Sequence, residues 1–206
     1  MPRLIETETR TDAVAAAVNE VLARDGAPGL SLRAIARESG VSTSSLLHHF
    51  GSREHLIRIA AHRTGRARVR AIDRRTVVDG PLAFLPAGGD DVVDARAWLA
   101  WLELWRSEDA LVEAIGNARL DERALLAETL QYRPGADVLA GLVAMIDGLL
   151  TAVSAPATPL PVDRARAVFR LATAAYAGPE DADAPVPLSF DAVRNRQRRW
   201  RERAAQ

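Results

Sequence analysis

The chain has 206 residues, 48% of them hydrophobic and none of them cysteine, and its 27 basic residues, all arginine, balance 27 acidic ones. That length suits one compact protein with two helical parts, and the lack of cysteine excludes disulfides and thiol chemistry. No run approaches the roughly 18 consecutive apolar residues of a membrane span, and the N-terminus lacks the apolar core of a signal peptide, so a cytoplasmic protein with no membrane partner is expected.

In chain order, TRTDAVAAAVNEVLARDG sets Val14, Ala17, Val18, Val21 and Leu22 on one face of a first helix. Thr9 or Thr11 is placed to cap it and Gly26 to stop it. The stretch SLRAIARESGVSTSSLLHHFGSREHLIR, residues 31–58, then reads as helix, tight turn, short helix and the start of a longer helix. Ser31 caps the first of these. Leu32, Ile35 and Ala36 give it a buried face, and Gly40 ends it where a left-handed backbone is required. Val41 is the apolar plug, and Ser42 caps the second helix.

This is a helix-turn-helix whose second helix opens on small hydroxyl side chains, which lets its N-terminus approach a DNA major groove closely. Residues 42–49 are expected in that groove. Ser42, Thr43, Ser44 and Ser45 lead, followed by Leu47, His48 and His49. Thr43, Ser44 and Ser45 are the expected base or groove contacts, and Ser31, Arg33 and Arg53 the phosphate candidates. Charge supports this half as the DNA-facing one. Residues 1–70 hold 11 arginines against 7 acidic residues, and residues 71–206 hold 16 against 20.

A fourth helix is expected over residues 53 to about 75, with Leu56, Ile57, Ala60 and Ala61 inward and the basic run RTGRARVRAIDRR as a solvated face. The Pro- and Gly-bearing stretch 77–93 reads as a connection with at most a helical turn at 82–85. Asp94 is then expected to cap DARAWLAWLELWRSE. Further helices are expected at 109–117, 121–132, 137–154 and 163–177. The 137–154 segment is apolar almost all round, which requires burial on more than one side. The 163–177 helix turns Ala165, Val168, Phe169, Ala172 and Tyr176 to its apolar face. These features predict a homodimer held by Val138, Leu142, Met145 and Leu149 with Val168, Ala172 and Ala175.

The run GVSTSSLLHHFGSREHL, residues 40–56, resembles the tetracycline-repressor (TetR) family of bacterial transcriptional regulators. His49, Phe50, Ser52, Glu54 and Leu56 match the family pattern. Leu47 stands where the family usually has a phosphate-contacting tyrosine, and Arg53 replaces the usual lysine. SSLLHHF resembles the BetI-like subgroup in particular. The resemblance implies an all-α fold, with a helix-turn-helix DNA-binding domain at 1–52 and a helical regulatory and dimerisation domain at 53–206. It also implies a dimer built as a four-helix bundle, a double-stranded operator whose half-sites lie about 34–36 Å apart or somewhat more, and a small-molecule effector that releases a repressor. It leaves the effector's identity open.

Trp98, Trp101 and Trp105, with Leu102 beside them, form a stripe that is either core or the wall of a ligand cavity, Tyr132 and Met145 being further candidates for that wall. Such walls suit an apolar or cationic small molecule. The four histidines lack the spacing of a closed metal site, and neither a metal nor another cofactor is expected. In the tail, Phe190, Val193, Gln197 and Trp200 share helical spacing opposite an arginine-rich face, which reads either as a last docked helix or as a basic arm. No phosphate loop or nucleophile elbow suggests an enzyme. The alternative function is a DNA-binding dimer with no small-molecule effector.

Overall fold

The computed structural model describes residues 2–130 and 134–176, with side chains from residue 8 onward. Among these described residues eight α-helices follow one another: α1 (Pro2–Asp25), α2 (Leu32–Ser39), α3 (Thr43–Phe50), α4 (Arg53–Asp79), α5 (Gly89–Ser107), α6 (Val112–Thr129), α7 (Ala136–Val153) and α8 (Val162–Ala175). Short 3₁₀ turns stand at Ala27–Gly29, Gly80–Phe84 and Asp109–Leu111. Among the described residues there is no strand.

Local chemistry sets the first half. Ser31, Ser42 and Ser52 each cap a helix, their hydroxyl oxygens accepting from the backbone N–H three residues on, at 3.1 Å in every case. Gly40 closes α2 at φ 67°, a conformation that costs a side-chain-bearing residue strain. Val14, Ala17, Val18, Val21 and Leu22 of α1 are all buried, as are Leu56, Ile57, Ala60 and Ala61 of α4. Val14, Val18, Val21 and Leu22 and the four α4 residues share one core with Ile35, Leu46 and Phe50 of the helix-turn-helix.

α4 is the spine of the molecule. It packs on α1 and α3 and, at Gly65, on α6. Gly65 permits that approach, since a Cβ there would stand 2.7 Å from the Ala118 methyl. α5 packs on α1 and α7, and α7 on α8. Apolar burial continues without a break from α1 to Phe169 of α8.

Several sequence expectations change. α1 starts at Pro2, so neither Thr9 nor Thr11 is a cap; both lie inside the helix. α4 continues to Asp79, and α5 begins at Gly89, which puts Asp94 inside α5 rather than at its cap. α6 is one helix across Gly116 and Asn117 rather than two, because Ala114, Ile115, Ala118, Glu122, Leu125 and Leu126 keep one buried stripe. The basic run of α4 is not uniformly solvated, as Arg68 and Arg75 turn inward. α7 is long and apolar enough to cross a membrane, with mean hydropathy 1.8 over 18 residues. Here it packs among α5, α6 and α8, and its Asp147 takes a two-pronged pair of bonds from Arg119 at 2.9 and 2.6 Å.

Candidate DNA interface and effector cavity

α3 is anchored by Leu46 and Phe50, one turn apart and both buried. That anchoring turns Ser44, Ser45, Leu47 and His48 outward, beside the exposed Ser31 and Arg33 of α2. At its N-terminus the hydroxyls of Ser42, Ser44 and Ser45 form a small cluster, with Oγ–Oγ distances of 3.0 and 2.9 Å. Thr43 is half-buried beside them. The first turn of α3 therefore offers compact donors and acceptors next to the free N–H groups of a helix start, the arrangement a groove-reading helix needs.

His49, at the end of the expected groove segment, takes a packing position beside Phe50. It is half-buried, its Nε2 lies 3.4 Å from Thr11 Oγ1 on α1, and its ring meets Phe50 edge-on with centroids 4.6 Å apart. It ties the reading helix to α1 instead of facing outward. Leu47, 40% exposed, brings an apolar side chain and no donor to the surface. Arg53 opens α4 half-buried, with Nη1 3.8 Å from Glu108 Oε1 at the end of α5.

A cavity of about 320 Å³ lies between α4, α5 and the Gly80–Phe84 turn, with Leu150 of α7 reaching its wall. Ala71, Ile72, Phe84, Leu85 and Ala95 make it apolar, while Asn19, Thr64, Arg68, Arg75, Asp91 and Asp94 bring polar groups to it. The tryptophan stripe divides. Trp98 lines the cavity, and its buried Nε1 has no acceptor in the protein. Trp101 is fully buried behind the wall and donates from Nε1 to Asn19 Oδ1 at 2.8 Å. The same oxygen accepts from Thr64 Oγ1 at 2.9 Å. Trp105, Leu102 and Met145 are half-buried against the core and do not line this cavity. Tyr132 and the tail residues Phe190, Val193, Gln197 and Trp200 lie outside the described residues.

Sequence reasoning missed the charged side of the wall. Arg68 stacks on the Trp98 ring, its guanidinium carbon 4.9 Å from the ring centre, and its Nε donates to Glu122. Glu122 is only 5% exposed and also receives Arg119 Nη1 at 3.2 Å. Arg119 passes on to Asp147, so paired charges run from the cavity wall on α4 through α6 to α7. One signal was available in the sequence: Arg68 falls on the helical stripe of Ala61, Gly65 and Ile72, all buried. Arg75 donates to the Leu85 carbonyl at 2.6 Å and pairs with Asp91 at 3.2 Å, which holds the turn over the cavity. Asp94 also lines the cavity. Partial burial, then the nearby Asp91, push its carboxyl above the ordinary aspartate value, against the pull of Arg68.

The expected dimer residues separate into two groups. Leu142 and Leu149 are buried within the protomer, and Val138 and Met145 are half-buried against its core. The open side of α7 is instead Gly141, Ala144, Gly148 and Thr151. Beside it α8 presents Val168 at 39%, Leu171 at 73% and an exposed Ala175, with Ala172 half-buried.

The chain is 29% identical over 163 residues to the transcriptional regulator BetI of Burkholderia mallei, covering 72% of this chain and 84% of that protein. It is 28% identical over 185 residues to the regulator PksA of Bacillus subtilis, covering 81% and 88%. The family described as bacterial regulatory proteins, tetR family, matches residues 11–59, from the middle of α1 into α4. The helix-turn-helix segment is therefore similar to that of the tetR family. The overall fold agrees. A Rhodococcus sp. protein assigned to the TetR family superposes with a TM-score of 0.70 at 19% identity, covering 82% of this chain and 98% of that one. The multidrug binding protein EbrR, complexed with ethidium, superposes at 0.55 and 22% identity, covering 79% and 97%. Both relatives by sequence are transcriptional regulators, and the matched segment is the helix-turn-helix.

Proposed function

We propose that the chain is a homodimeric repressor of the TetR family that binds a palindromic operator and is released from it by a small molecule. The observation that carries the reading is the continuity of α4. One helix of 27 residues opens on Ser52 and Arg53 beside the reading helix and brings Arg68, Ile72 and Arg75 to the cavity wall. Whatever fills the cavity acts on the helix that positions the reading head. Closed point symmetry would then place two heads on two half-sites.

In this reading residues 1–52 form the DNA-binding part and residues 53–206 the regulatory part, working in the bacterial cytoplasm. Thr43, Ser44 and Ser45 of α3 meet base edges, with Ser42 fixing the helix start and Leu47 and His48 flanking it. Ser31, Arg33 and Arg53 meet phosphates. The effector is a compact molecule, largely apolar, with at least one acceptor for the donors beside Trp98. The volume of the cavity and its apolar majority support that class, and EbrR with its ethidium shows that a protein of this fold holds a small molecule. To turn a 99:1 preference for the DNA-binding state into its reverse, the effector must favour the released state by about 10⁴-fold.

Selection from random duplexes tests the reading. An inverted repeat should emerge, bound with an affinity that falls steeply as salt rises. A compound that raises the melting temperature should also lower affinity for that repeat. Enrichment of single half-sites, or ligand binding with no effect on DNA affinity, would defeat it.

A further inference from the structure

This inference rests on Arg53 meeting a DNA phosphate, as proposed above. In the DNA-free protein that guanidinium already has an acidic neighbour, Glu108, at 3.8 Å. Both side chains are partly buried, at 34% and 25% exposure. Glu108 is not on a loose loop. Its backbone N–H donates to the Leu104 carbonyl at 2.9 Å, and its carbonyl accepts from Leu111 N–H at 3.0 Å. The carboxylate is thus held at the end of α5, facing the first turn of α4.

We propose that Glu108 is an internal competitor for the DNA phosphate and sets the operator affinity of this regulator. A carboxylate and a phosphate oxygen seek the same guanidinium donors. The separation is that of an ion pair without a hydrogen bond, so Arg53 can exchange one partner for the other at little cost. Until it does, Glu108 masks the positive charge and repels the approaching backbone. The exchange matters more here because Leu47 supplies no donor from the neighbouring surface of α3. Glu108 is also the residue that caps the C-terminus of the helix that walls the cavity. It follows Trp98 by ten residues, roughly 15 Å along the helix axis, so a shift of α5 carries it toward or away from Arg53.

The test is a double-mutant cycle, read by fluorescence anisotropy on the selected inverted repeat at fixed salt. Glu108→Gln should tighten binding about two- to fivefold per protomer, hence about four- to 25-fold for two heads. In an Arg53→Ala background the same substitution should do no more than Asp109→Asn, which removes a neighbouring acid with no such partner. A Glu108→Gln protein that binds as the wild type or more weakly overturns the proposal. So does an equal gain with Arg53 absent, since that reports only general repulsion. If Arg53→Ala leaves DNA affinity unchanged, the phosphate reading falls and this proposal with it. If Arg53→Ala weakens binding while Glu108→Gln has no effect, only this proposal falls.

Discussion

Arg68 and Trp98 meet at the cavity wall, the guanidinium carbon 4.9 Å from the centre of the indole ring. The contact joins α4 to α5, the two long helices between which the cavity opens. Arg68 is held there from behind by Glu122, whose carboxylate also binds Arg119. A buried ion pair of this kind is seldom more stable than well-packed apolar residues, but losing one partner strands the other. Arg68→Ala should therefore cost about 3 kcal/mol in denaturant melts. Arg68→Met combined with Glu122→Gln should recover most of that loss. Equal losses for the single and double variants would mean that packing on Trp98, not charge pairing, dominates the site.

Trp98 and Trp101, both buried, should answer differently to the loss of one N–H. Trp101→Phe removes a donor that Asn19 uses, so a loss of about 1 kcal/mol is expected from the hydrogen bond alone. Trp98→Phe removes a donor with no acceptor in the protein, so stability should hardly change. Trp101→Ala opens a void behind the cavity wall and should cost about 3–5 kcal/mol. Thermal melts of the three variants decide the matter. A larger loss for Trp98→Phe than for Trp101→Phe would contradict the assignment.

Much of the reading head was legible in the sequence because its determinants are local. Ser31, Gly40 and Ser42 each act within three or four residues of themselves, and each could be read from its neighbours. The start of α1 was not legible, because Thr9 and Thr11 look like caps but sit within a helix that simply continues past them. The role of Arg68 was not legible either. Its partner Glu122 is 54 residues away, and a basic run gives no sign of which arginine turns inward. The tryptophan stripe shows the same limit. Trp98 and Trp101 share a helix face in the sequence, yet only the distant Asn19 makes one of them structural.

Asp94 gives a pH-dependent test. Its carboxyl titrates above the ordinary aspartate value because burial and Asp91 disfavour its charge. The protonated form therefore suits the folded state, and that contribution is lost as pH rises through the raised value. Asp94→Asn should stabilise the protein modestly at neutral pH. The gain should fade as pH falls toward the ordinary aspartate range near about 4. Melts between pH 4 and 8 that show a pH-independent difference would remove Asp94 from the account.

Assembly separates the open face of α7 from its buried one. Ala144→Glu places a charge on the exposed side and should leave a folded monomer. Leu142→Glu places it in the protomer core, where Leu142 is fully buried, and should prevent folding. Sedimentation velocity together with circular dichroism tells these outcomes apart. A dimeric Ala144→Glu protein would move the interface elsewhere.

The central claim is that the exposed start of α3 reads DNA while Arg53 holds its backbone. It is tested most directly by anisotropy titrations of Ser44→Ala and Arg53→Ala against the selected repeat and its single-base variants. Arg53→Ala should weaken every duplex by the same factor, because phosphate contacts position without specifying sequence. Ser44→Ala should reorder the duplexes at one position of each half-site, by on the order of 1 kcal/mol. Wild-type affinity and wild-type ranking in both variants would contradict the account.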